Sequence, residues 1–362
     1  MADRNSERRW LEQLTAIPTA PGVEGRVLEW VEAWVGRRPD LTRRRDRHGN
    51  LFIAQRGRKR AAPVVAVAHT DHPGFVVTGS DGRRADVEFR GGMRGEYFAG
   101  RPRLEFFGSD GTRHAATLVD FDPDASRGTV EVAAGGRLEA GDIGRWAHRQ
   151  RLGIHGGRCH APACDDLAGV AAALGALDRA RNEPALRHFA VLLTRAEELG
   201  FVGAIGAARD GTLPAGARIL SIECSRSFAD SPLGAGPIVR VGDASSVFDH
   251  RLTNLVSSAA KESGIAHQRK LMDGGSCEAT AFVAYGYPAT GLCLPLANYH
   301  NMGNLDEVEA GGGPARPAPE AVSVDDYHGL VDLLLVAARA VDGDWDLSRR
   351  LDGLFDEGKG VL

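Results

Sequence analysis

Four apolar runs in this chain each lead into an acid or a histidine, and helical segments separate them. VVAVA runs up to His69, and FAVLLT (189–194) precedes Glu197 and Glu198. RILSIE (218–223) closes on Glu223, and PATGLCLPL (288–296) precedes His300. Continuous apolar runs of this length suit strands buried on both faces of a largely parallel sheet. The spacing of apolar residues predicts helices over 6–15, 24–36, 166–181, 249–263, about 278–285 and 325–341. Strands alternating with helices imply an α/β three-layer sandwich with a mostly parallel central sheet. In open α/β sheets ligands bind at the carboxyl edge of the strands, the edge to which these polar residues fall.

The middle of the chain breaks the pattern. From 73 to 156 short strand-like runs (FVVTGSDG, LEFFGSDG, TLVDFDP, GTVEVAAGG) are separated by Gly and Asp turns, with no long helical period. That spacing predicts a small all-β unit inserted into the α/β domain. The expected division is therefore 1–72 with 157–362 as one domain and 73–156 as the insert. Two further segments stand apart. Residues 37–60 hold ten Lys/Arg against two Asp. A basic patch for an acidic partner is one reading, but a single aromatic residue, Phe52, lies among those charges, too few for base-stacking platforms, so the segment reads first as a solvated hairpin face. EAGGGPARPAPE (309–320) carries three Gly and three Pro and reads as a loop or linker.

Charge and cysteine content exclude several function classes. Lys plus Arg is 44 and Asp plus Glu 48, a net charge of −4, which gives no support to a nucleic-acid binder. No window of about 18 apolar residues exists, so no membrane span is expected. The N-terminal MADRNSERRWLEQL lacks the apolar core of a secretory signal, and the cytoplasm is the expected compartment. Five cysteines, at 159, 164, 224, 277 and 293, form neither a disulfide framework nor a thiolate zinc pattern. Cys224 and Cys277 read as small buried side chains.

The chemistry-bearing residues fall in five clusters: AHTDHPGF with His69, Asp71 and His72; CDDLAG with Asp165 and Asp166; RAEELGFVGA with Glu197 and Glu198; Glu223; and His300 in LANYHNMG. Each has an ordinary reading alone. Asp166 suits a helix N-cap, adjacent acids at a strand end are usually solvated, and a lone histidine is usually structural. Histidines and carboxylates gathered on one sheet edge form a hard nitrogen-and-oxygen set suited to zinc, cobalt or manganese. A two-metal hydrolytic site needs this set, with a bridging carboxylate and a further acid to handle a water proton.

The ordered motifs resemble the M42 metallo-aminopeptidases of the glutamyl and tetrahedral type, and more distantly the M20, M28 and M18 co-catalytic metallopeptidases. PTAPGVEGRVLEW, DRHGNLFIA, AHTDHPGF, CDDLAG, AEELGFVGA, SIEC, GGSCEA and the late histidine follow in that family's order, with Asp165 standing 94 positions after Asp71 to leave room for the β insert. The resemblance implies a zinc-peptidase-like fold and two divalent ions per chain, zinc first, with cobalt or manganese as alternatives. Asp165 would bridge them, His69 and Glu223 would complete one site, and Glu198 and His300 the other. Glu197 would be the general base, and Asp71 would hydrogen-bond the far nitrogen of His69. Glu278, Asp166 and His72 would contact substrate. A peptide or small amide would be the substrate, and the insert would support a homo-oligomer.

Departures from the family pattern are also visible. His72 stands where an acid is usual, Glu223 where Asp is usual, and Glu278 where GGSCEA replaces Gly-Gly-Thr-Asp-Ala. The late histidine sits in NYHNMG rather than Arg-Tyr-x-His-Ser-Pro. These keep open an M20-like amidase, deacylase or carboxypeptidase on the same site. A non-catalytic binding protein and a glucanase are the remaining rivals. The first would be favoured by loss of Glu197 or Asp165, both present, and the second leaves the histidines unexplained. No GxSxG, P-loop or HExxH string occurs.

Overall fold

The structure is a computed structural model that describes residues 3–57, 62–343 and 346–362. Four parallel strands form its centre. Val64–His69 pairs with Phe189–Thr194 on one side and Arg218–Arg226 on the other, and Arg218–Arg226 pairs with Ala289–Ala297. Val64–His69 and Phe189–Thr194 are buried at every position, as expected for strands covered on both faces. Further strands, most of them paired antiparallel, extend the sheet to eleven among the described residues. One flank carries the hairpin Leu41–Arg45 and Leu51–Gln55. The other carries Glu320–Ser323, Arg158–Ala161 and Gly153–His155. Ile238–Asp243 and Gln268–Met272 branch off Ala289–Ala297.

Helices cover both faces. On one lie Arg4–Thr15, Gly25–Gly36, Leu167–Ala180, His250–Glu262 and Val324–Ala340, sharing a core that includes Trp34, Leu174, Tyr327 and Leu334. On the other lie Val202–Arg209 and Glu278–Ala284, whose Ala204, Ala207 and Phe282 share a second core with Phe52 and Leu192. Leu167–Ala180 is nearly all Ala, Leu and Gly and is buried on every side, the mark of a helix in the middle of a layer. Leu347–Gly358 is the opposite case. None of its residues is buried, and Leu347, Leu351, Leu354 and Phe355 are all exposed. No helix among the described residues is long and apolar enough to cross a membrane.

Between His69 and Gly153 the chain leaves the sheet and closes a six-stranded antiparallel barrel, Gly74–Ser80 to Ile143–Trp146. Alternation is clean in Arg84–Arg90, whose inward Ala85, Val87 and Phe89 alternate with more exposed polar residues. Phe75, Phe89, Phe98, Phe106 and Trp146 fill the barrel. Gly144 is required there, because a Cβ would lie 2.3 Å from the Phe106 ring. The barrel strands stop at Trp146, and Gly153–His155, expected within the insert, pairs into the large sheet.

The basic segment forms the expected hairpin, with Leu41–Arg45 exposed after its first residue. Residues 58–60 of that segment lie outside the described residues. All five cysteines are free and buried.

Candidate metal centre

The carboxyl ends of the four parallel strands bring the polar residues together. Val64–His69 ends on His69, and Thr70 to His72 follow it as a buried turn. Phe189–Thr194 leads into a short turn holding Glu197 and Glu198, with Ala196 in the left-handed region. Glu223 lies within Arg218–Arg226, and Ala289–Ala297 leads to His300. Asp165 and Asp166, joined by a cis peptide, open Leu167–Ala180.

Asp165 stands between two half-sites. Its Oδ1 lies 3.4 Å from His69 Nε2, and Glu223 Oε2 lies 3.8 Å from that same nitrogen. Its Oδ2 lies 3.5 Å from His300 Nε2, which is 3.2 Å from Glu198 Oε1. Four groups of potential metal ligands occur among the described residues: His69–Asp165–Glu223 and Asp165–Glu198–His300, which match the expected half-sites, and also His69–Glu197–Glu198 and Asp165–Asp166–Cys224. Within each group the ligand atoms lie within 4.8 Å of one another.

Both histidines are oriented by their other nitrogen. His69 Nδ1 lies 3.1 Å from the Asp71 backbone oxygen, and His300 Nδ1 lies 2.6 Å from the Gly92 backbone oxygen. Carbonyls only accept, so each Nδ1 carries a proton and each Nε2 is left to face the centre, where it would offer its lone pair to a bound cation. The Asp71 carboxylate, expected against His69, is 3.6 Å from Nδ1. It instead accepts the backbone N–H groups of Glu197 and Glu198, both at 3.0 Å.

The charge balance of this region is one-sided. Asp71, Asp165, Asp166, Glu198, Glu223, Glu278 and Glu320 converge with no Lys or Arg ion pair to any of them among the described residues. Asp165 Oδ1, Asp166 Oδ2, Glu223 Oε1 and both oxygens of Glu278 are buried without a hydrogen-bond partner. Uncompensated buried carboxylates are costly, and divalent cations are the compensation that hard oxygen and imidazole donors accept best. The donor set therefore fits divalent metal.

The pKa directions agree. Burial first, then repulsion from Glu223, Glu198 and Glu278, lifts Glu197 well above the usual carboxylate range. Burial pushes Glu278 up to about 8. Burial disfavours a charged His69, but the nearby carboxylates of Asp165, Asp71 and Glu223 prevail and raise it.

The three residues expected to contact substrate are buried among the candidate ligands. Asp166 and Glu278 have no exposed surface. The Asp166 side chain makes no capping hydrogen bond to its helix and faces Cys224 Sγ at 3.5 Å. His72 turns Nδ1 to the Asp165 carbonyl at 2.6 Å and Nε2 to Asn301 Oδ1 at 3.3 Å. Burial first, and then the charge of His300, lowers His72 to about 4. The stacked pair His155 and His160 lies on the edge hairpin and joins none of these ligand groups.

Sequence reasoning missed Glu320, Asn301 and Gly92. Glu320 closes the segment read as a linker. An acid entering the apolar run AVSV was the available signal, since a strand start rarely buries a carboxylate without a partner.

No curated protein sequence matches this chain. Solved structures do. A TET aminopeptidase from a marine sediment archaeon of the Thaumarchaeota superposes with a TM-score of 0.77 at 18% identity, over 94% of this chain and 98% of that one. An aminopeptidase from the archaeon Desulfurococcus kamchatkensis gives 0.74 at 19%, over 93% and 95%. The TET1 peptidase of Pyrococcus horikoshii, described as assembling into a tetrahedron or a large octahedral shell, gives 0.72 at 21%, over 92% and 99%. These likenesses establish the sandwich with its inserted β unit. The family model of the M42 glutamyl aminopeptidases matches residues 130–311, just over half of the chain. The chain therefore belongs to the M42 family of peptidases, and is a hydrolase.

Proposed function

We propose that this chain is an aminopeptidase working with two divalent cations, zinc first and cobalt or manganese as the alternatives. The observation that carries this reading is the placement of Asp165, whose two oxygens face His69 on one side and His300 on the other. His69, Asp165 and Glu223 would hold one cation, and Asp165, Glu198 and His300 the other.

Bound cations would supply Lewis acidity to the scissile carbonyl and a water nucleophile at neutral pH. Glu197 is the base that takes the water proton and returns it to the leaving amine. Burial and the neighbouring acids raise its pKa, the direction that favours taking up a proton. Asp71 holds Glu197 and Glu198 through their backbone amides, so the base and its neighbour keep a fixed relation to His69. Asp166, Glu278 and His72 act on substrate, in this reading, only through the ligands they back.

The reading extends to the rest of the molecule. We take 73–156 as the inserted unit and 1–72 with 157–362 as the catalytic unit, the barrel strands themselves ending at Trp146. A homo-oligomer is supported by the assemblies described for the relatives, among them a dodecamer. The cytoplasm is supported by five cysteines, none of them paired.

The test is hydrolysis of matched free-amine and N-acetylated peptides by the metal-loaded protein. Cleavage of free-amine peptides alone is expected. Cleavage of the acetylated series would transfer the site to the amidase and deacylase reading, which the GGSCEA and NYHNMG departures keep in view.

A further inference from the structure

Glu320 is fully buried, and each of its carboxylate oxygens is committed. Oε1 accepts the backbone N–H of His300 at 2.8 Å. Oε2 accepts the backbone N–H groups of Cys164 at 2.7 Å and Asp165 at 3.0 Å. The strand it opens, Glu320–Ser323, lies between the two strands that deliver those residues. It pairs with Arg158–Ala161 on one side, Glu320 opposite Ala161, and with the end of Ala289–Ala297 on the other. One side chain therefore joins the backbone of Asp165 to the backbone of His300.

The segment holding His300 needs such support. Asn298, His300 and Asn301 all have φ between 53° and 63°, a left-handed conformation that side chains with a Cβ disfavour. Such backbone persists where its surroundings over-determine it. Here Asn298 Nδ2 donates to the Pro319 carbonyl, Ala318 N–H donates to the Asn301 carbonyl, and Glu320 takes the His300 amide. The excursion between His300 and Glu320 is anchored as well, with Met302, Leu305 and Val308 packed on Tyr97 of the barrel segment.

We propose that Glu320 is a positioning residue that sets the separation of Asp165 and His300, and so the geometry of the cation they share with Glu198. This inference rests on the two-cation reading of the site. A carboxylate is the group required, because all three partners are N–H donors and an ionised carboxylate only accepts. Glutamine has nearly the same shape but one acceptor oxygen. With that oxygen on Cys164 and Asp165, its NH2 group faces the His300 N–H, donor against donor.

The test compares E320Q and E320A with the wild-type chain by amide hydrogen exchange without added metal and by titration with zinc. Exchange should rise at least about tenfold at 298–302 in E320Q, with 163–167 little changed, and should rise at both segments in E320A. The affinity for one of the two cations should fall about 10- to 100-fold in E320Q, as is usual when an orienting partner of a ligand is lost. Saturating zinc should then restore kcat with little change in KM, which a merely structural defect would not allow. Wild-type exchange at both segments in folded E320A would overturn the clamp. Altered exchange with both zinc affinities unchanged would overturn its bearing on the centre. If neither variant folds, the wild-type chain still decides, since fast exchange of the His300 or Asp165 amide contradicts the clamp. A wild-type chain that binds no zinc and cleaves no peptide would end the two-cation reading, while the exchange data would still judge Glu320.

Discussion

Asp71 and Glu197 are joined by a 3.0 Å hydrogen bond from the Glu197 amide to Asp71 Oδ1, and the other Asp71 oxygen takes the next amide, that of Glu198. The same residue offers its backbone carbonyl to His69. Asp71 thus holds parts of both candidate half-sites and the proposed base at once. Asp71→Asn keeps the shape but replaces one acceptor with a donor that faces an N–H. A fall in kcat of about 10- to 100-fold is expected, with the fold intact by circular dichroism. A variant with wild-type kcat would show that the two amides need no such anchor.

Glu197→Gln separates proton transfer from metal binding. Glu197 is absent from His69–Asp165–Glu223 and Asp165–Glu198–His300 but groups with His69 and Glu198, so its role as base or ligand is what this variant decides. Turnover should drop about 10²- to 10⁴-fold, the usual contribution of a positioned acid–base group, while metal content per chain stays at the wild-type value. Loss of metal in this variant would move Glu197 from base to ligand.

The barrel offers a stability test remote from the chemistry. Gly144→Ala forces a methyl group to within 2.3 Å of the Phe106 ring unless the barrel core shifts. Overpacking of this kind costs about 1–3 kcal/mol. Denaturant unfolding should show that loss, with zinc stoichiometry unchanged.

Acid sensitivity has an identifiable source in His148. Both of its ring nitrogens are buried without a partner, and burial, followed by the charge of Arg145, lowers its pKa to about 3. The unfolded chain binds this proton near the ordinary histidine pKa and the folded chain does not. Stability is therefore full above about pH 6.5 and is lost progressively as pH falls toward 3, at up to about 1.4 kcal/mol per unit. Between pH 7 and pH 5, His148→Gln should gain about 1–2 kcal/mol relative to wild type in urea unfolding. A constant difference across that range would contradict the assignment.

Much of this architecture is legible in the sequence, for a physical reason. A strand buried on both faces has to be apolar throughout, so VVAVA and FAVLLT announce themselves, and polar residues can appear only where such strands end. That places His69, Glu197, Glu198, Glu223 and His300 on one edge from the sequence alone. The helix over 166–181 and the strand over 288–296 are read almost to their observed bounds, Leu167–Ala180 and Ala289–Ala297. What the sequence hides depends on chain closure over distance. The partners of Glu320 lie 20 and about 155 residues away, across a Gly- and Pro-rich excursion with no periodicity of its own. The Asp71 side chain is likewise committed to amides 126 and 127 residues on, rather than to its neighbour His69. The edge hairpin with Gly153–His155 has the composition of the barrel strands, and only its pairing with the large sheet separates it from them.

The central claim is that Asp165 bridges two cations. Anomalous scattering from a zinc-soaked crystal measures this directly. The account expects two peaks per chain about 3.5–4 Å apart, one beside His69 and Glu223 and the other beside Glu198 and His300, with Asp165 between them. A single peak, or peaks that leave Asp165 out of contact with either ion, would contradict it.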